Sequence, residues 1–146
     1  MDPLIELAPP TPGILGMNAL AADDAVLILV ATNYLSLRGL QLLLRSIQMT
    51  QAQLHPDLQI LGIVGTMYDR RIAHHGEVLQ ELRRLFSPQG IRVFDSVIPR
   101  SVRFEEAAMT GQPVVGYAAH HAGAEAYQQL MKEMIACYGH QTPNAD

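Results

Sequence analysis

The sequence predicts an α/β fold: a mostly parallel sheet joined by helical crossovers. Three observations predict it. Ala25-Val26-Leu27-Ile28-Leu29-Val30 is apolar throughout and does not alternate, which suits a strand covered on both faces. Leu37, Leu40, Leu43, Leu44 and Ile47 then recur at helical spacing. Beyond them, strand-like and helical stretches keep alternating, the pattern of parallel strands linked by crossover helices.

The elements follow in order. Leu4 to Leu7 reads as a short strand stopped by Pro9-Pro10, and Thr11-Pro12-Gly13 as a turn. Ile14 to Ala22 reads as a helix, broken by Asp23-Asp24. After the strand at 25–30, Ser36 is the expected cap of the leucine-rich helix. His55-Pro56-Asp57 is a loop, Leu58 to Val64 a strand, and Gly65-Thr66 its end. A helix is expected from Gly76 to Phe86, burying Val78, Leu79, Leu82 and Phe86, with Ser87-Pro88-Gln89-Gly90 as its stop. Ile91 to Val97 is the next strand, closed by Pro99, which has no N–H for a ladder. The segment from Pro99 to Ala119 holds at most a short helix near Glu105 to Met109. The last helix is expected from Ala122 to Tyr138, with Tyr127, Leu130, Met131, Met134 and Tyr138 on its apolar face. Residues 141–146 are expected to form a polar, frayed tail. The 146 residues read as one domain.

Composition narrows the function. A net charge of -4, from ten basic and fourteen acidic residues, argues against a strongly basic nucleic-acid binder. One cysteine, Cys137, excludes an intrachain disulfide and a clustered thiolate site, which fits a reducing, cytoplasmic setting. No signal-peptide pattern is visible at Met1-Asp2-Pro3-Leu4-Ile5-Glu6, and no apolar run is long enough to span a bilayer. Ligands of parallel sheets bind at the carboxyl ends of the strands. Here those ends carry Ala31-Thr32-Asn33, Gly65-Thr66-Met67-Tyr68-Asp69 and Ile98-Pro99-Arg100-Ser101.

Several short stretches, in order, resemble the C-terminal part of the ParA/MinD-type, deviant-Walker P-loop partitioning ATPases. Pro9-Pro10 with Gly13, Leu15, Asn18, Ala19 and Leu20 resembles D-C-P-P-x-x-G-x-L-x-x-N-A-L. Tyr34 to Leu40 resembles the start of the next crossover helix. Thr66-Met67-Tyr68-Asp69 resembles T-M-[FY]-D, and Val97 to Arg103 resembles V-I-P-R-N-V-R, continued by Glu106-Ala107 and Gly111 to Val114. Gly123 to Tyr127 resembles G-A-x-A-Y. The resemblance implies a truncated P-loop NTPase fold of the ParA/MinD type. It also implies that Thr66, Met67, Ile98, Pro99 and Arg100 border an adenine pocket. Backbone groups at strand ends can pair with a base edge, and an arginine can stack beside it.

Departures from the pattern shape the functional expectation. The sequence holds no G-x-x-x-x-G-K-[ST], and its single lysine is Lys132. A phosphate cradle uses successive backbone N–H groups and a lysine. Leu7 and Ala8 stand at the family's Asp and Cys, and Glu6, one residue away, points to the opposite strand face. Leu29, Ala31 and Asn33 stand where the family often has Pro, Gln and Glu. The expectation is therefore a chain lacking the N-terminal phosphate-binding half, with no autonomous ATP hydrolysis. It is a non-catalytic, ParA-like interaction or regulatory module linked to plasmid or chromosome partitioning. No cofactor is expected, and ATP with Mg only where a partner completes the site. One alternative is a nucleotide-binding subunit whose phosphate loop comes from another chain; the other is a fragment without independent function.

The expected partners are a second copy or a full-length ParA-like homologue, because an uncovered apolar strand edge invites pairing. Arg70-Arg71, Arg83-Arg84, Arg100 and Arg103 would contact non-specific DNA if folding gathered them. Interspersed Glu77, Glu81, Glu105 and Glu106 favour a charge-balanced face instead. A metal at His74-His75 and His120-His121 would need both pairs to converge with Asp69 or Glu105.

Overall fold

The computed structural model describes Leu20, residues 24–113 and residues 122–138. The strand at 4–7, the turn at 11–13, nearly all of the helix at 14–22, Glu6, Leu7, His120-His121 and the tail lie outside the described residues. The described elements are β1 (Ala25–Ala31), α1 (Tyr34–Gln53), β2 (Gln59–Thr66), α2 (Ala73–Phe86), a 3-10 turn (Ser87–Gln89), α3 (Val102–Thr110) and α4 (Ala122–Tyr138).

β1 and β2 pair in parallel from Ala25 opposite Gln59 to Ala31 opposite Thr66. The register slips once, so that Val26 faces Ile60 but Leu27 faces Gly62. Leu61 is the extra residue of this bulge. Its carbonyl accepts a hydrogen bond from the Tyr138 hydroxyl at 2.7 Å, so the interrupted ladder leaves no penalty there.

Successive strand residues face opposite layers, and the packing follows that period. Ile28, Val30 and Ile63 join Leu40, Leu44, Ile47, Val78, Leu82 and Phe86 beneath α1 and α2. Val64, Phe94, Ile98 and Leu130 form a second cluster beneath α4, with Leu27, Met134 and Tyr138 against it. Two covered faces explain the unbroken apolar run of β1. The coverage is incomplete at Leu29, which is 48% exposed among the described residues.

Three expectations change. The cap of α1 is Asn33, whose side chain accepts from the Ser36 N–H and hydroxyl, both at 2.9 Å; Ser36 lies inside the first turn. Asn33→Ala should lower stability by about 1 kcal/mol in a denaturant titration. On α4, Leu130 is buried and Met134 and Tyr138 are packed, while Tyr127 and Met131 lie on the exposed row with Ile135.

The third change concerns residues 91–97. They run parallel beside β2 but pair only at isolated positions, Ile63 with Val93 and Tyr68 with Pro99. Between them, α4 intervenes. The Glu133 carboxylate accepts from the Asp95 N–H (2.8 Å), the Ser96 N–H (3.0 Å) and the Ser96 hydroxyl (2.7 Å). Donors that a regular strand would direct into a ladder are turned toward a helix.

Candidate functional site

β1, β2 and the extended segment bring their carboxyl ends to one edge. Thr32 is buried, and its hydroxyl donates to the Thr66 carbonyl at 3.0 Å and the Met67 carbonyl at 3.3 Å. The Thr32 N–H also donates to Thr66 O, at 3.1 Å. The chain after β2 is then stitched to the segment ending in Pro99. Ile98 N–H donates to Gly65 O (2.9 Å), Tyr68 N–H to Ile98 O (3.0 Å) and Arg100 N–H to Tyr68 O (3.1 Å). The two sequence segments expected to share a site are therefore hydrogen-bonded neighbours.

Within this edge the side chains divide. Ile98 turns inward and is buried in the α4 cluster, contributing its carbonyl to the edge. Met67, 60% exposed, and Arg100 point outward, with Thr66 and Pro99 half-buried. Met67 adopts a φ of 53°, a left-handed conformation that costs a non-glycine residue about 1 kcal/mol. Such strain persists only where its surroundings fix it, and here hydrogen bonds fix it on both sides.

The turn is completed by Asp69, Arg71 and His75. Arg71 donates to Asp69 through its backbone N–H (2.9 Å), Nε (3.0 Å) and Nη2 (2.9 Å). These side-chain and backbone hydrogen bonds from Arg71 hold the Asp69 carboxyl down at about 2, so it is anionic at neutral pH. The Asp69 N–H donates to His75 Nδ1 at 3.0 Å. His74 stacks on Tyr34, whose hydroxyl donates to Glu77 at 2.9 Å; that bond raises the Tyr34 pKa.

Beside Pro99 lies an open cleft of about 510 Å³, lined also by Val97, Glu125, Gln128, Gln129 and Lys132. It shares only Pro99 with the expected site. Sequence reasoning placed Lys132 inside the last helix without assigning it to this cleft.

Among the described residues, three of the six arginines that could have gathered are ion-paired. Arg71 is paired with Asp69, Arg83 with Asp95 at 3.6 Å, and Arg84 with Glu81. The side chain of Arg103 lies outside the described residues. Among the described residues, no three His, Cys, Asp or Glu side chains are placed to hold a metal ion. No described helix is long and apolar enough to cross a membrane.

These strand ends and crossovers define an α/β P-loop NTPase fold of the ParA/MinD type, which solved structures share. Cobyrinic acid a,c-diamide synthase from Mycobacterium smegmatis with bound ADP and magnesium superposes with a TM-score of 0.69 and 27% identity, over 90% of this chain and 45% of that one. The same enzyme with a bound ATP analogue and magnesium gives 0.68. Residues 2–60 match the family model of the AAA domain. The chain is 41% identical over 128 residues to the chromosome partitioning protein ParA of Caulobacter vibrioides, covering 88% of this chain and 47% of that protein. It is 39% identical over 135 residues to the sporulation initiation inhibitor protein Soj of Bacillus subtilis, covering 92% and 52%. The chain thus spans about half the length of the curated relatives it matches.

These findings correct the reading of a C-terminal remnant without the phosphate-binding half. The AAA domain model matches residues 2–60, so the N-terminal part of the chain is itself similar to that domain. The non-catalytic interaction module falls with it, because the match runs through relatives named as partitioning proteins and an ATPase. The cofactor expectation is also overturned. Structures holding ADP or an ATP analogue with magnesium superpose over 90% of this chain and 45% of their own length. The physical error was to let the spelling of one loop decide for the whole chain. The correction rests on these matches; the 146 residues themselves contain no G-x-x-x-x-G-K-[ST] string.

Proposed function

We infer that this chain is a nucleotide-binding domain of a ParA-like partitioning ATPase, with ATP and Mg²⁺ as its ligands. Residues 1–146 act as one α/β domain, and Thr66, Met67, Ile98, Pro99 and Arg100 form its adenine side. The observation that carries this reading is the stitched edge, where Thr66-Met67-Tyr68 is hydrogen-bonded to Ile98-Pro99-Arg100 at the carboxyl ends of parallel strands. The edge offers a purine apolar surface at Met67 and Pro99 and a planar cation at Arg100.

The relatives' names support partitioning as the setting. A second copy of the chain and non-sequence-specific DNA are the partners of this reading, and the cytoplasm its compartment. Calorimetric titration tests the ligand. ATP with Mg²⁺ is expected to bind saturably. No heat from a folded sample would retire the reading.

A further inference from the structure

We propose that His75 is a positioning residue for the adenine-side edge: its neutral imidazole locks the Thr66–Asp69 turn through Nδ1, and protonation releases it. The proposal rests on the nucleotide-binding reading above.

His75 lies in the first turn of α2 and is only 8% exposed. Its Nδ1 accepts from the Asp69 N–H, two residues after the strained Met67. Three other donors of the turn are satisfied by the backbone or by Asp69 itself. Tyr68 N–H reaches Ile98 O, Arg71 N–H reaches Asp69 Oδ1, and Ile72 N–H reaches Asp69 O. His75 is thus the side chain through which α2 holds the turn.

An accepting Nδ1 has one consequence. The ring proton must sit on Nε2, and the ring must be neutral. Protonation turns Nδ1 into a donor facing another donor, and the bond is lost. The groups around the ring decide where an imidazolium can turn. The Asp69 carboxylate attracts it, but Arg71 already occupies that carboxylate. Tyr68 is tilted against the ring at 6.2 Å and His74 meets it edge-on at 4.8 Å, and behind His74 stands the Tyr34–Glu77 pair from α1 and α2. A protonated His75 therefore exchanges the backbone N–H for competition with Arg71, freeing the residues that carry Met67.

Two readouts on three variants test this. Asn places an oxygen acceptor where Nδ1 sits and does not titrate; Leu has none. Amide exchange should find Asp69 protected in the wild type and in His75→Asn, and unprotected in His75→Leu. ATP affinity should fall about tenfold in His75→Leu, the cost of one unmade buried hydrogen bond. The wild type should weaken on moving from about pH 8 to about pH 5.5, while His75→Asn stays level and His74→Asn follows the wild type. Unchanged Asp69 protection in His75→Leu would overturn the proposal, as would an acid dependence that persists in His75→Asn. Asp69 protection that depends on His75, with no ATP binding at either pH, would overturn the nucleotide reading and with it the adenine-side role.

Discussion

Gly62→Ala is expected to destabilise the fold by about 3 kcal/mol or more, measured as a shift in denaturant midpoint. Gly62 has a φ of 149°, which side-chain-bearing residues rarely adopt. A Cβ there would stand 2.6 Å from Phe94 Cε2 and 2.8 Å from the Arg92 carbonyl oxygen. Neither neighbour can retreat cheaply. Phe94 is fully buried, and Arg92 O accepts the Ile63 N–H at 2.8 Å. The substitution forces the 91–100 segment away from β2 and, with it, the Ile98-Pro99-Arg100 half of the candidate site. An alanine variant within about 0.5 kcal/mol of the wild type, in the range of ordinary surface substitutions, would show that the close approach is not maintained in solution.

The second large effect is expected at Glu133. Glu133→Ala removes the acceptor of two backbone N–H groups and a hydroxyl, and should cost about 3 kcal/mol. Glu133→Gln keeps one carbonyl oxygen and should lose less. Burial by itself pushes this carboxyl up, but hydrogen bonds from Ser96 and the Asp95 and Ser96 N–H groups, with Arg92 nearby, outweigh it and hold the carboxyl below its ordinary value. With the folded pKa lowered, the contribution is complete above the unfolded value of about 4.3 and is lost as pH falls below it. The wild type should therefore lose stability on acidification more steeply than Glu133→Gln. Equal acid sensitivity in the two would contradict this role.

Much of the scaffold was legible because it depends on local period. The apolar run at 25–30 and the spacing of Leu37, Leu40, Leu44 and Ile47 gave β1 and α1, and Val78, Leu79, Leu82 and Phe86 gave the buried face of α2. The neighbourhood of Thr66-Met67 and Ile98-Pro99 was legible from the topology of parallel strands. The features that escaped depend on contacts distant in sequence. Nothing local announces that Glu133 breaks the third strand from 37 residues away, or that Tyr138 satisfies the bulge at Leu61, 77 residues away. The left-handed Met67 carries no sequence signal, since glycine is the residue that usually marks that conformation. For His75, weighed only as part of a metal-binding pair, an acceptor role is visible only once the Asp69 N–H is placed. On α4, two adjacent apolar rows are present, and only packing decides which one is buried.

The stitched edge at the ends of β2 and the 91–100 segment is the proposed seat of the nucleotide base. Backbone amide shifts measured while ATP and Mg²⁺ are added test that assignment directly. The largest changes are expected at Thr66 to Asp69 and at Ile98 and Arg100. Changes confined to Gln128, Gln129 and Lys132 would move the ligand to the α4 cleft and contradict the assignment, and a spectrum unchanged at saturating nucleotide would dismiss it.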